Sequence, residues 1–170
     1  MNKNILISTI KAEYETIERF FQQTDDTHFG TQPHAEKWSI AQHAQHLINS
    51  VKGIAGALKD TSTLAQFGKA ERPSLDYVTV KINYQNVLEK LKKEGKMPYR
   101  HLDITETKTE LLANFNTIHQ KLVERLADLT ELELDTLQVP HPVLGIMTMR
   151  EMLLFTAIHI KHHYDIVAKI

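Results

Sequence analysis

The sequence contains no cysteine. That excludes disulfides, thiolate metal ligands and a cysteine nucleophile, and it is compatible with a reducing compartment. An excess of charge of one sign is also lacking: 20 basic residues against 21 acidic ones leave a formal net charge of −1. Such a balance gives no general attraction to nucleic acid or to an anionic membrane. No basic helix face or aromatic-interleaved patch points to nucleic acid either. Long apolar runs are missing too. The opening stretch MNKNILISTIKAEYETIERFF breaks its short apolar run with Lys11 and Glu13, so neither a signal peptide nor a membrane span is expected. No segment alternates over strand length, and no internal repeat is visible. A cytoplasmic location is expected.

What is present is ordinary for a globular domain: 42% hydrophobic and 24% charged residues in a chain of 170, which is long enough for one domain (1–170) with a real core. The ordinary composition is broken by histidine, of which there are ten. Apolar residues recur at helical spacing from about Asn4 to Gln23, through Ile7, Ile10, Tyr14, Ile17, Phe20 and Phe21. A loop with Gly30 and Pro33 follows. Ser39 and Gln42 form a capping box that opens a second helix running to about Lys59. A long polar connection, DTSTLAQFGKAERPS, leads to an accessory helix from about Leu75 to Glu94, stopped by Gly95 and Pro98. The next helix spans about Glu106 to Asp128 on Leu111, Leu112, Phe115, Ile118, Leu122 and Leu126. The stretch ELDTLQVPHPVLGIM reads as a loop. Thr148 and Glu151 then cap a last helix that runs nearly to Ile170. The expected fold class is all-α, a helical bundle of four main helices and one accessory helix.

At about 100° per residue, His159 and His163 fall in the middle of the apolar stripe of the last helix, one turn apart. Arg150, Glu151, Lys161, Asp165 and Lys169 take the opposite face, and His162 lies on the border between the two. Two histidines at i and i+4 can reach a common point beyond the helix surface, as two metal ligands must. For a single histidine in such a place, a satisfied core residue is the ordinary explanation; a pair with a third available from another helix shifts the balance. The second helix carries His43 and His46. Its apolar residues Ile40, Ala44, Leu47, Val51, Ile54 and Leu58 centre nearer to His43. His46 instead shares a line with the small residues Ser50, Gly53 and Ala57, the kind of seam where a cleft can open. Periodicity leaves the choice between the two open.

The pattern WSIAQHAQHL, followed about a hundred residues later by HPVLGIMTMREMLLFTAIHIKHHYDIV, resembles the DinB superfamily over nearly the whole chain. The shared features are a helical segment with Trp-Ser that ends in a His-Leu pair, and a late helix with H-x-x-H-H. The resemblance implies a helical bundle, often a homodimer, that holds a divalent metal on three histidines. By motif position these are His46, directly before Leu47, and His159 and His163, the first and last histidines of HIKHH. It also implies an activity. Characterised relatives include S-transferases that use the low-molecular-weight thiols bacillithiol or mycothiol, and others are described as metal-dependent hydrolases.

Three neutral imidazoles leave coordination positions open and the full charge of the ion in place, which favours an anionic or ionising ligand. Zinc suits this set, and nickel, iron or manganese could occupy the same donors. The expected function is a metal-dependent transferase acting on a small molecule with a low-molecular-weight thiol. The alternatives are a metal-dependent hydrolase and a non-enzymatic stress-response or metal-binding module. No general base stands out. His43 and His162 are the nearest candidates, although each reads more readily as a polar residue at a helix border. His141 could line the mouth of the site or simply brace its loop, and Trp38 is expected to pack beneath the start of its helix.

Helix depth adds a topological expectation. His46 lies seven residues past its cap, and His159 and His163 lie about as far from the other end of the last helix. The ligands therefore meet only if the two helices are antiparallel. That requires an up-down-down-up order, and the nearly fifty residues from Asp60 to Thr105 supply the long crossover it needs.

Overall fold

The computed structural model describes residues 1–34, 37–96 and 102–170. In chain order the elements are α1 (Lys3–Gln23), α2 (Asp26–Gly30), α3 (Ile40–Lys59), a 3-10 helix (Thr61–Phe67), α4 (Tyr77–Lys93), α5 (Lys108–Asp128), α6 (Glu131–Thr136), the strands β1 (Gln138–His141) and β2 (Gly145–Thr148), and α7 (Met149–Val167). The four long helices α1, α3, α5 and α7 form the bundle, and α4 is the accessory helix of the crossover. Both expected capping boxes are present, Ser39 with Gln42 and Thr148 with Glu151. Each satisfies two backbone N–H groups that a helix start would leave unpaired. Gly95 adopts φ 65 just past α4, which suits a residue without a Cβ. Pro98, expected to share in that stop, lies outside the described residues.

Side-chain contacts fix the winding. Arg150 Nη1 donates to Met1 O at 2.7 Å and the Phe20 and Tyr164 rings lie 6.1 Å apart, so α1 and α7 run the same way. Lys3 Nζ donates to Ala127 O at 2.8 Å and Asn116 to Glu18 at 2.5 Å, so α5 opposes α1. Gln42 reaches Leu102 O at 2.9 Å and Arg125 reaches Ala55 O, so α3 runs with α5. His43 meets His163 and His46 meets His159, so α3 opposes α7. The order is up-down-down-up, as the depth of the histidines requires. The apolar stripe of α1 is buried at Leu6, Ile10, Tyr14, Ile17 and Phe21, and that of α5 at Leu111, Phe115, Leu122 and Leu126. Burying each such side chain contributes about 1.5–3 kcal/mol against the conformational entropy of folding.

Two expectations need correction. The stretch read as a loop before the last helix instead forms α6 and an antiparallel hairpin in which Gln138 pairs with Thr148 and His141 with Gly145. Four-residue strands, one of them containing Pro140, are too short for alternation to register. The turn closes on Gly145 at φ 77, a left-handed position typical of three-residue hairpin loops. The second correction concerns Arg150 and Glu151, assigned above to the outward charged face: they are only 7% and 1% exposed. Arg72 of the crossover pairs with Glu151 through two contacts of 2.5 and 2.8 Å, and the backbone N–H groups of Leu75 and Thr148 donate to the same carboxylate. Burial pushes the Glu151 pKa up, but the Arg72 hydrogen bonds and the two backbone donors outweigh it and hold the group below its ordinary value. Arg150 is likewise held by Asp135 and Glu131. Lys161, Asp165 and Lys169 do face outward.

The core also contains a polar residue that periodicity passes over. His119 of α5 is 4% exposed, packs edge-on against Tyr14, and leaves its Nε2 without a hydrogen-bond partner among the described residues.

Two predictions follow from these buried groups. Glu151→Gln should lower the unfolding free energy by about 2–4 kcal/mol in a urea titration, less than a fully buried pair because Arg72 is half exposed. Burial holds the His119 pKa down at about 3, against 6.5 when unfolded. Between those values the unfolded chain binds a proton that the folded chain does not, so stability falls as pH drops below about 6.5. By pH 5 this one residue should cost about 2 kcal/mol relative to pH 8, and His119→Leu should remove that part of the slope.

Candidate metal centre

The antiparallel pairing of α3 and α7 sets two turns of helix face to face. The Nε2 atoms of His46 and His159 lie 3.1 Å apart, and those of His163 and His159 lie 3.0 Å apart. One donor atom from each of the three comes within 4.8 Å of the others. Two nitrogens bound at about 2.0–2.1 Å to one ion stand roughly 2.9 Å apart at a right angle and 3.4 Å apart at a tetrahedral one. The two close separations fall within that range. Hydrogen bonding alone accounts for them poorly. His159 Nε2 carries either one lone pair or one hydrogen, yet it faces two other nitrogens. The donor set therefore fits a divalent ion.

His43 occupies the second tier. It is 3% exposed, more deeply buried than His46, and its Nδ1 lies 2.8 Å from His163 Nδ1. With His163 Nε2 turned to the shared point as a lone pair, its Nδ1–H donates to His43 Nδ1. A metal-ligating histidine is commonly oriented in this way. The apolar stripe of α3 centres nearer to His43, the more buried of the two, whereas the nitrogen in the convergent set is that of His46. Burial, reinforced by the neighbouring histidines, pushes the pKa of His43 and His46 down to about 4 and holds those of His159 and His163 well below the usual imidazole range. The shifts favour the neutral form of all four, which leaves a lone pair on each of His46, His159 and His163 to coordinate.

His162 and His141 stand outside the convergent set. The ring of His162 lies 5.5 Å from that of Tyr84 and 5.3 Å from that of His163. His141, at the end of β1, accepts at Nδ1 from the backbone N–H groups of Val143 (3.3 Å) and Leu144 (3.1 Å). That places its proton on Nε2. Its ring packs on Phe155 at 4.4 Å. Trp38 packs against the first turns of its helix, as expected, with its ring 5.4 Å from that of His43 and 5.0 Å from that of His46, and it also borders the site, stacked 6.5 Å from the ring of His163. Phe155 stacks on His159 at 5.1 Å, and Tyr84 of α4 meets both Phe155 and His162 edge-on. Phe155, one turn before His159, was visible on the stripe as an apolar residue. Nothing in the sequence marks Tyr84, because its place depends on where the crossover lies.

The histidines open into a cavity of about 570 Å³ between α3, α4, α7 and the hairpin. The small residues Ser50, Gly53 and Ala57 line it, as their shared line with His46 suggests.

A family model described as the DinB superfamily matches residues 9–167. The chain belongs to the DinB superfamily. Among solved structures, this DinB-superfamily chain is similar to the crystal structure of TT2238, a four-helix bundle protein. The TM-score is 0.63 at 14% identity, with 99% of this chain and 100% of that one covered. At that identity the likeness is one of fold. No curated protein matches. No helix among the described residues is long and apolar enough to cross a membrane.

Proposed function

We propose that the chain is a metal-dependent enzyme that holds one divalent ion, zinc first, on His46, His159 and His163 and joins a low-molecular-weight thiol to a small electrophile. The observation that carries this reading is the convergence of three neutral imidazole nitrogens on one point at the wall of a roomy cavity. When bound, such an ion supplies positive charge that lowers the pKa of a thiol or of water and makes a nucleophile available near neutral pH. In the transfer, a sulfur–carbon bond forms as the carbon–leaving-group bond breaks. The leaving group departs with its electron pair, and the thiol proton goes to solvent.

The chain's own residues would share the remaining work. His43 would fix the ring of His163 through the Nδ1 pair. The Nε2–H of His141, its tautomer set by two backbone donors, would offer a hydrogen bond to an electron-rich atom of the substrate. Trp38, Tyr84 and Phe155 would exclude bulk water and so strengthen every electrostatic contact inside. A second reading, metal-dependent hydrolysis, is favoured by His162. Burial lowers its pKa, it lines the same cavity, and its nitrogens are outside the convergent set, so it could take a proton from an attacking water.

The metal reading has a direct test. The purified protein should contain about one divalent ion per chain by elemental analysis, and His46→Ala, His159→Ala and His163→Ala should each abolish tight binding. His162→Ala should retain the ion, and His43→Ala should retain it with affinity reduced about 10- to 100-fold. Equal loss in folded His162→Ala and His159→Ala would count against the assignment. For activity, the metal-loaded protein should accelerate conjugation of a bacterial thiol to a reactive electrophile, and chelation should abolish the rate. Steady ester or amide hydrolysis without thiol would favour the second reading, and turnover of neither would reduce the chain to a metal-binding module.

A further inference from the structure

The cavity beside the histidines has a property that the metal reading does not require. Among the described residues, none of those lining it is Lys, Arg, Asp or Glu. Apart from the histidines, its walls are aliphatic and aromatic side chains with a few neutral polar ones. Its shape is also directional. The histidines stand toward one end, and the lining continues along α3 to Ala57 and, antiparallel to it, along α7 to Met152. Ala57 lies eleven residues beyond His46, and Met152 lies eleven before His163. Each span corresponds to about 16 Å of helix at 1.5 Å per residue. Leu64 of the 3-10 helix and Val139 of β1 help to line the cavity and are themselves buried.

We propose that this cavity binds an elongated, uncharged molecule whose apolar body lies along α3 and α7 and whose single polar group faces the histidines. The inference rests on the reading of the histidine cluster as the reactive end, and it names the class of substrate presented there. The physical grounds are desolvation and shape. An ionised group placed between Ile54 and Met152 would leave water without a counter-charge, whereas methylene groups gain about fourfold in affinity for each one buried. A volume of about 570 Å³ suits a molecule of ordinary ligand size.

Gly53 provides a way to shorten the cavity without touching the histidines. It lines the wall seven residues beyond His46, about 10 Å along the helix. A Cβ built on it meets nothing within 4 Å. Replacing a helical glycine also favours the helix. Gly53→Phe is therefore expected to fold, to keep its metal and to obstruct the far half of the cavity. Ala57→Glu places a carboxylate at the far end.

The test uses the fluorescence of Trp38, the one tryptophan of the chain, in the metal-loaded protein titrated with butanamide, decanamide and 10-aminodecanamide. Decanamide should bind at least 100-fold more tightly than butanamide and at least 100-fold more tightly than 10-aminodecanamide. Gly53→Phe should weaken decanamide at least 10-fold while leaving butanamide and metal content unchanged. Ala57→Glu should weaken decanamide and strengthen the ammonium-tailed probe. Equal affinity for decanamide and 10-aminodecanamide in the wild type, or an unchanged affinity of Gly53→Phe for decanamide, would overturn the proposal. The two readings fail separately. Chain-length-dependent binding by a protein that holds no ion supports the cavity assignment and overturns the metal centre. A fully metallated protein indifferent to chain length does the reverse.

Discussion

The Nε2 atoms of His46 and His159 lie 3.1 Å apart while His43 meets His163, and the two contacts together require α3 and α7 to run in opposite directions with these residues level. A bundle wound by short hairpins alone would make its second and fourth helices parallel and carry the imidazoles past each other. The winding found here avoids that by sending the chain across the bundle between α3 and α5. The crossover is then put to use. Its 3-10 helix and α4 become cavity walls, and its Arg72 reaches Glu151 at the first turn of α7. That ion pair ties the crossover to the helix that carries two of the three converging histidines.

The cost of the arrangement is the burial of several imidazoles inside an apolar bundle. Each gives up hydration, and the shared response is to lose the proton. His43, His46, His159 and His163 offset part of the loss by facing one another, and the neutral rings of His46, His159 and His163 bring a nitrogen each to a common point. His119 shows the same desolvation without the company. Among the described residues its Nε2 has no hydrogen-bond partner and no other histidine converges on it, so its burial is expected to register as acid sensitivity. Burial alone therefore does not distinguish a site histidine from a core one; convergence does.

Much of the bundle was legible because it is encoded locally. Stripes at helical spacing and the Ser39 and Thr148 capping boxes gave the helices, and the depth of the histidines gave their directions. The hairpin was not legible: its strands are four residues long, and its closure depends on Gly145 and on backbone pairing rather than on an apolar pattern. Arg150 and Glu151 were misplaced because an angular reading assumes that the face opposite the core meets water. At the start of α7 that face meets α6 and the crossover instead. Within the site, the i,i+4 pair of His159 and His163 was readable from one helix. The contest between His43 and His46 was not, because the convergent point lies at the edge of the α3 stripe and not at its centre. The cavity itself joins residues of several separated segments, and no single stretch of sequence records it beyond the small residues in line with His46.

The hairpin contributes Val139, Pro140, His141 and Val143 to the cavity wall, yet none of the three converging nitrogens comes from it. The histidines belong to the long helices, whose positions are fixed by the packing of the whole bundle. The hairpin thus adds wall to a cavity whose converging nitrogens all come from α3 and α7. A turn of three residues can lengthen, shorten or exchange its side chains without disturbing the helices beneath it. Changes at that turn would therefore reshape one wall of the cavity and leave the three nitrogens where the packing of the bundle holds them.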